Sequence, residues 1–165
     1  MQYPAKAGRI SISIYNPHIR GPVDYMNRDI EYRINTEISV TQFLQLLEQS
    51  TLADRRPVDD LACLEGMLEN SNLTVSAWAG NELVGIARSV TDFHYACYLS
   101  DLAVASSHQQ RGIGKALQKL TQQQLGPKCK LILIAAPAAN TYYQNIGFEH
   151  NERCWILDRD SRIIE

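Results

Sequence analysis

The segment Gln109-Gln110-Arg111-Gly112-Ile113-Gly114-Lys115 decides the fold predicted for this chain of 165 residues. An apolar run ends just before it and apolar residues at helical spacing follow it, so it predicts a turn from a strand into a helix. A helix N-terminus carries about four unpaired N–H groups and roughly half a positive charge, which favour a phosphate or diphosphate. Glycine at positions 112 and 114 lets the backbone contact such a ligand directly. Arg111 and Lys115 add positive charge.

Two common nucleotide-binding motifs do not fit this turn. A Walker A motif requires Ser or Thr after its lysine, whereas Ala116 follows Lys115, and the required glycine spacing is absent. A dinucleotide motif requires a third glycine where Leu117 stands. ATP and NAD are therefore poor candidate ligands. Two glycines can also merely shape a turn, so on the residues alone this alternative stays open.

Upstream of the turn, strand and helix patterns succeed each other. Residues 1–29 contain an alternating apolar run, Ile10 to Ile14, which predicts an N-terminal arm or an extra strand. The other predicted elements are a strand at Ile30 to Ile34, a helix capped by Ser39, a helix after Pro57, a hairpin of Leu73 to Trp78 with Leu83 to Val90, and a strand at Cys97 to Val104. Their order predicts a single domain over residues 30–165.

Downstream of the turn, the helix is expected to end at Gly126-Pro127. Leu131 to Ile134 is apolar on both faces, which predicts a strand buried in the middle of a sheet. Ala138 to Ile146 predicts a short helix closed by Gly147, and Cys154 to Leu157 predicts a last strand. The succession of strands and helices places the chain in the α/β class.

Composition excludes several classes of function. The formal net charge of −2 lacks the basic surplus of a nucleic-acid-binding protein, so no nucleic-acid partner is expected. The four cysteines lie tens of residues apart and form no C-x-x-C pair, so we expect neither a metal site nor a disulfide scaffold. No apolar run reaches the roughly 18 residues of a membrane span, which predicts no membrane association and a cytoplasmic location.

Two segments resemble signatures of the GNAT superfamily of acyl-CoA-dependent N-acyltransferases. Gln109-x-x-Gly112-x-Gly114 is similar to the Q/R-x-x-G-x-G/A signature that begins the diphosphate-binding helix of that family. Residues 138–148, A-A-N-T-Y-Y-Q-N-I-G-F, resemble its A-x-x-F-Y-x-x-x-G-F segment, with Tyr142 in place of the common Phe. The resemblance runs from about Ile30 to Leu157, is strongest from Leu99 to Phe148, and does not extend to residues 1–29.

The resemblance implies a fold and a cofactor. The fold is a mixed, mostly antiparallel sheet flanked by helices and splayed between its fourth and fifth strands, with the arm of the cofactor in the gap. The cofactor is acetyl-CoA, used as a co-substrate. Carried over residue by residue, its contacts are Leu102, Ala103, Val104, Gln109, Gln110, Arg111, Gly112, Ile113, Gly114, Lys115, Asn140 and Tyr143.

The same resemblance implies N-acetyl transfer to a primary amine by direct attack in a ternary complex. Tyr143 is the candidate general acid, because a phenol can donate a proton to the departing thiolate; packing in a helix face is its alternative role. Asp101 is the candidate base, directly or through a water, and a hydrogen-bonding role is its alternative. Arg55 and Arg56 are either recognition groups for an acidic substrate or a solvated pair.

The acceptor, an alternative function and the oligomeric state stay open at this point. The acceptor is either a small-molecule amine or a peptide amine, since near-neutral charge does not choose between them. A catalytically silent acyl-CoA-binding or sensor module is the alternative function. Exposed strand edges also suggest a homodimer, with the arm of residues 1–29 as one source of contact.

Overall fold

The computed structural model describes residues 12–13 and 30–164. These residues divide into two compact units, one ending at Leu133 and one beginning at Ile134. The predicted arm falls almost entirely outside the described residues; the part within them, Ile12–Ser13, forms a short strand. The prediction of one domain over residues 30–165 stays a prediction.

The first unit contains a sheet and three α-helices, close to the predicted positions. Its elements are β1 (Ile12–Ser13), β2 (Ile30–Ile34), α1 (Val40–Glu48), α2 (Leu61–Glu69), β3 (Leu73–Ala79), β4 (Glu82–Thr91), β5 (Ala96–Val104), α3 (Ile113–Gln123) and β6 (Lys130–Ile132). In the second unit a 3-10 turn, Pro137–Ala139, leads into α4 (Asn140–Asn145). None of the helices in the described part of the chain has the length and apolarity that crossing a membrane requires.

The sheet has six strands in sequence order, from β1 to β6. Every neighbouring pair is antiparallel except β5 and β6, which are parallel. The two-residue strand β1 lies at the edge of the sheet and pairs with β2. The result is the mixed, mostly antiparallel sheet flanked by helices that we predicted.

Local sequence signals account for several element boundaries. Ser39 and Gln42 form a capping box at α1, with the Gln42 N–H 3.2 Å from the Ser39 hydroxyl oxygen and the Ser39 N–H 3.0 Å from Gln42 Oε1. Asp60 caps α2 by accepting from the Cys63 N–H at 2.9 Å. Gly80, with a φ of 60°, forms the tight turn between β3 and β4.

Helices cover both faces of the sheet. A Cβ atom on Gly85 of β4 would lie 3.1 Å from Leu117 Cδ1 and 3.2 Å from Ile113 Cγ2, so α3 packs directly against β4 there. Arg88 lies three residues further along β4 and points to the opposite face. There it donates to the Met67 carbonyl at 3.1 Å, which places α2 on that face. The turn before α3 therefore connects two elements, β5 and α3, of a sheet-and-helix core in which both faces of the sheet are covered.

Two predicted strands differ from the structure. The strand predicted to be buried within the sheet over Leu131 to Ile134 is the edge strand β6, where Ile132 and Ile134 are 47% and 48% exposed. Residues 154–157 form no strand, and Trp155 is 92% exposed. Both predictions were wrong because an apolar run becomes a central strand only when partners flank it and both its faces are covered.

Candidate functional site

Strand β5 loses one of its two neighbours halfway along its length. Pairing with β6 covers only Ala96–Tyr98, while β5 continues to Val104. On the other side β5 pairs with β4 throughout, and the register places one extra residue, Ser100, between the pairs that β4 makes with Leu99 and Asp101. Among the described residues, the edge of β5 from Leu99 onward thus has no strand partner. This is the splay that we predicted between the fourth and fifth strands, counted from Ile30.

The turn after β5 has the backbone conformation of an anion site. Gln110 and Gly112 have left-handed φ angles of 60° and 77°, and Gly112 is the N-cap of α3. Left-handed residues alternating with ordinary ones turn successive N–H groups into one concavity, which suits an anion. With glycine at the cap, no side chain of that residue accepts from the first amides of the helix. A Cβ atom at position 112 would meet no atom within 4 Å, so the space above the cap is open.

Side-chain hydrogen bonds brace this turn from both directions. Gln109 Nε2, in the side chain, donates to the Val104 carbonyl at 3.1 Å, which ties the turn back to the end of β5. Ser106 donates through its N–H and its hydroxyl to the Gln49 carbonyl, at 2.9 and 2.8 Å, which ties the same segment to the end of α1. The side chain of Gln109 therefore shapes the site, leaving backbone groups for a ligand.

The structure brings most of the predicted site residues into one strand, turn and helix. Leu102, Ala103 and Val104 form the end of β5, and 109–115 form the turn and the first residues of α3. The donors there are backbone N–H groups at a helix N-terminus, whose partial positive charge favours an anion.

Asp101 lies at the centre of a buried ion-pair cluster. Its carboxylate has no exposed surface, and Oδ1 accepts from Arg56 Nε at 2.6 Å. Oδ2 accepts from Arg88 Nε, whose side chain is 6% exposed. Arg88 also donates to the hydroxyls of Ser71 and Ser100, at 2.7 and 2.9 Å. Because both carboxylate oxygens are engaged and shielded, these contacts favour the hydrogen-bonding role that the sequence left open for Asp101.

The sequence alone did not identify Arg88 as part of this cluster. A usable signal existed, since Arg88 is the one charged residue in the otherwise apolar or small run 83–90. A charged side chain in a buried strand requires a partner of opposite charge. That reasoning predicts a buried acid near Arg88, and Asp101 is directly opposite in register.

In the second unit, the end of α4 fixes the ring of Tyr143. Gly147, with a φ of 97°, follows the helix; its N–H donates to the Gln144 carbonyl at 3.2 Å, and the Phe148 N–H donates to the Tyr143 carbonyl at 3.0 Å. This pair of bonds is a Schellman motif, which requires a left-handed residue at that glycine. The Phe148 ring packs edge-on against Tyr143 at 5.5 Å, as does Tyr142 at 5.2 Å. The glycine and the phenylalanine of the second signature thus position this tyrosine. Asn140, the other site residue predicted here, is the exposed first residue of α4.

Comparison with known protein families gives one match over most of the chain. Residues 49–154 match the family model described as an acetyltransferase (GNAT) domain. A histone acetyltransferase of Glycine max is 32% identical over an alignment of 111 positions, which covers 58% of this chain and 46% of that protein. A GCN5-related N-acetyltransferase of Arabidopsis thaliana, described as chloroplastic, is 29% identical over an alignment of 101 positions, which covers 54% of this chain and 38% of that protein. The chain thus spans less than half the length of these relatives.

Solved structures share the fold. An acetyltransferase of the GNAT family from Streptococcus pneumoniae superposes with a TM-score of 0.64 at 23% identity, covering 79% of this chain and 99% of that one. An aminoglycoside N-acetyltransferase in complex with CoA gives a TM-score of 0.62 at 22% identity, covering 80% and 95%. At these identities the similarity concerns the fold alone.

Proposed function

Because the chain belongs to the GNAT acetyltransferase family, we propose that it transfers an acetyl group from acetyl-CoA to a primary amine. The observation that carries the proposal is the glycine-capped N-terminus of α3, which follows directly on the unpaired edge of β5. Backbone N–H groups at 109–115 are the proposed diphosphate contacts. The unpaired edge, including Leu102 and Val104, is the proposed contact for the extended arm of the cofactor.

The proposed reaction is direct attack within a ternary complex. The neutral amine forms a bond to the acetyl carbon, the carbon–sulfur bond breaks, the amine loses a proton and the thiolate gains one. A lysine-like amine with a pKa of about 10.4 is neutral at pH 7 at a cost of about 4.6 kcal/mol. Holding the two reactants in attack geometry supplies roughly 7 to 11 kcal/mol, so alignment dominates.

Proton transfer to the leaving thiolate is the proposed role of Tyr143. Its support is the resemblance of 138–148 to the family signature, together with the Schellman motif that fixes its backbone and the Phe148 ring that packs against its own. Asp101 is proposed as a positioning group for Arg56 and Arg88, because a role as base requires one of its two ion pairs to open. A general acid such as the one proposed for Tyr143 raises the rate by about 10²- to 10⁴-fold.

The class of acceptor is inferred from the names of related proteins. One relative is named a histone acetyltransferase and a protein of the same fold an aminoglycoside N-acetyltransferase. Both names describe acceptors that carry amino groups. We therefore propose an amine acceptor, either a small molecule or a peptide.

Free-thiol release from acetyl-CoA in the presence of an amine panel tests the proposal. We expect turnover with at least one amine, and we expect Tyr143→Phe to lower kcat by about 10²- to 10⁴-fold. Phenylalanine keeps the edge-on ring packing with Phe148 and removes only the hydroxyl. Tyr142→Phe is the matched control on the adjacent residue, and we expect its kcat to stay near that of the unmodified chain.

Two results would contradict parts of this proposal. Binding of acetyl-CoA without turnover of any amine would support the alternative, a silent acyl-CoA sensor. Equal effects of the Tyr143 and Tyr142 variants would remove Tyr143 from proton transfer while leaving the acetyltransferase assignment in place.

A further inference from the structure

The buried cluster around Asp101 contains an excess of positive charge. One carboxylate faces two guanidinium groups, so the ion pairs leave one positive charge without a counter-charge. Within residues 30–164, no other carboxylate forms an ion pair with Arg56 or Arg88. A charge withdrawn from water without a partner is costly, so such a cluster favours the binding of an anion.

Arg56 is the member of the cluster that can reach a ligand. Its Nε donates to Asp101, its Nη2 to the Ser100 carbonyl at 2.7 Å, and its Nη1 to the Arg55 carbonyl at 2.7 Å. Each terminal nitrogen carries two N–H groups, so one on each remains beyond these bonds. The Arg56 side chain is 21% exposed, against 6% for Arg88. A planar guanidinium with two remaining donors is suited to a carboxylate.

The position of Arg56 places this anion site next to the proposed acetyl-transfer site. The carbonyl that Arg56 contacts belongs to Ser100, the extra residue of β5. Ser100 lies two residues beyond Tyr98, where pairing with β6 ends. The exposed side of the guanidinium is thus adjacent to the part of β5 at which the sheet separates.

A row of apolar side chains lies on the same face of the sheet. Val90, Tyr98 and Ile132 are register partners on β4, β5 and β6, and they are 49%, 41% and 47% exposed. Register partners share a face, and Val90 shares it with Arg88, two residues earlier on β4. The row therefore continues the surface that begins at the ion-pair cluster.

We propose that the acceptor is an amine that also carries a carboxylate, which Arg56 binds, and an apolar side chain, which lies on the row of Val90, Tyr98 and Ile132. A free amino acid with an apolar side chain has this chemistry. The inference rests on the proposed acetyltransferase function and specifies its substrate class. It assigns to Arg56 a specificity role that is separate from bond formation.

Matched acceptors test the inference: L-leucine and L-leucinamide differ in the carboxylate and share the side chain. We expect acetylation of leucine, and we expect Arg56→Gln to lower kcat/KM for leucine about 10- to 100-fold more than for leucinamide. Comparing the ratio of the two substrates across variants cancels the different amine pKa values. Arg55→Gln, a change in an exposed neighbour whose carbonyl contact is retained, is the control, and its ratio should stay unchanged.

The outcomes separate this inference from the proposed function. Asp101 keeps Arg88 as a partner in the Arg56 variant, so the fold should persist, as circular dichroism and thermal unfolding will show. Turnover of amines with no preference for leucine over leucinamide, or a preference that survives Arg56→Gln, overturns the inference and leaves acetyl transfer intact. Failure of leucine as acceptor with turnover of other amines does the same. Loss of all amine turnover would falsify the acetyltransferase proposal itself.

Discussion

The two loops that flank β5 gather backbone N–H groups in the same way and differ in what accepts from them. In the loop before β5, Asp92 Oδ1 accepts from the N–H groups of His94, Tyr95 and Ala96 at 2.8, 2.8 and 3.0 Å. In the turn after β5, glycine at the cap of α3 offers no such acceptor. One loop contains its own anion, whereas the other is the turn that we propose binds the diphosphate of acetyl-CoA.

A structural turn and a binding turn differ in the groups that hold their left-handed residues in place. Both loops contain a left-handed residue other than glycine, Phe93 at 63° and Gln110 at 60°. Such backbone is unfavourable and persists where surrounding bonds hold it. The carboxylate of Asp92 supplies those bonds from within the loop. At α3 they come from Gln109 and Ser106, which bind carbonyl groups and leave the amides of the helix unoccupied by their side chains.

The largest effect that we expect concerns Asp101 on β5. Like Asp92, it is an aspartate whose carboxylate accepts from several donors, but its side chain is fully buried. Asp101→Asn leaves two guanidinium groups without a charged partner, and we expect it to lower the free energy of unfolding by about 3 to 5 kcal/mol. Urea unfolding measures the loss. Asp54→Asn, which alters an exposed carboxylate, should stay within about 0.5 kcal/mol. Similar losses in both variants would show that the cluster contributes little.

Gly114→Glu tests the turn that has no built-in anion. A carboxylate at the second position of α3 competes for the helix amides, as Asp92 does in its own loop, so we expect it to prevent CoA binding. At a CoA concentration of 100 times Kd, the unmodified chain should gain about 2.7 kcal/mol, or about 5 to 11 °C in Tm. The variant should gain nothing, and without CoA it should be at least as stable, since an acidic residue is favourable there.

Gly66→Glu is the matched control for this experiment. Gly66 lies inside α2, and a Cβ atom there would meet no atom within 4 Å. Its CoA-dependent rise in Tm should equal that of the unmodified chain. A normal rise in the Gly114 variant would locate the diphosphate elsewhere.

Features that act over a few residues of sequence could be predicted from the sequence. Ser39, the Gly80-Asn81 turn and Gly112 each determine conformation within a few residues, and the structure has a helix cap, a hairpin and a helix start at those positions. The same holds for Gly147, whose φ of 97° closes α4.

Features that depend on distant partners could not be predicted in the same way. The apolar residues 154–157 satisfy strand composition, yet composition does not supply a neighbouring strand. The cluster joins Arg56 to Asp101 across 45 positions of sequence and Arg88 to Asp101 across 13. Position and family resemblance suggested Arg56 and Asp101 separately. The hydrogen bond between them and the register of β4 with β5 bring both together with Arg88.

The smallest expected effect concerns the loop that contains its own anion. Hydrogen bonds from the backbone of Tyr95, Ala96 and His94 lower the pKa of Asp92 below its ordinary value of 3.8. A carboxyl with a lowered pKa stabilises the folded state above its unfolded pKa, and this stabilisation is lost as the pH falls through the folded pKa. Asp92→Asn should therefore lower Tm at pH 7, with the difference from the unmodified chain shrinking steadily below about pH 4.

Asp59→Asn, at an exposed position outside the loop, should show no such pH-dependent difference. A Tm difference for Asp92→Asn that stays constant from pH 7 to pH 2.5 would mean that the loop depends on the shape of the side chain and not on its charge.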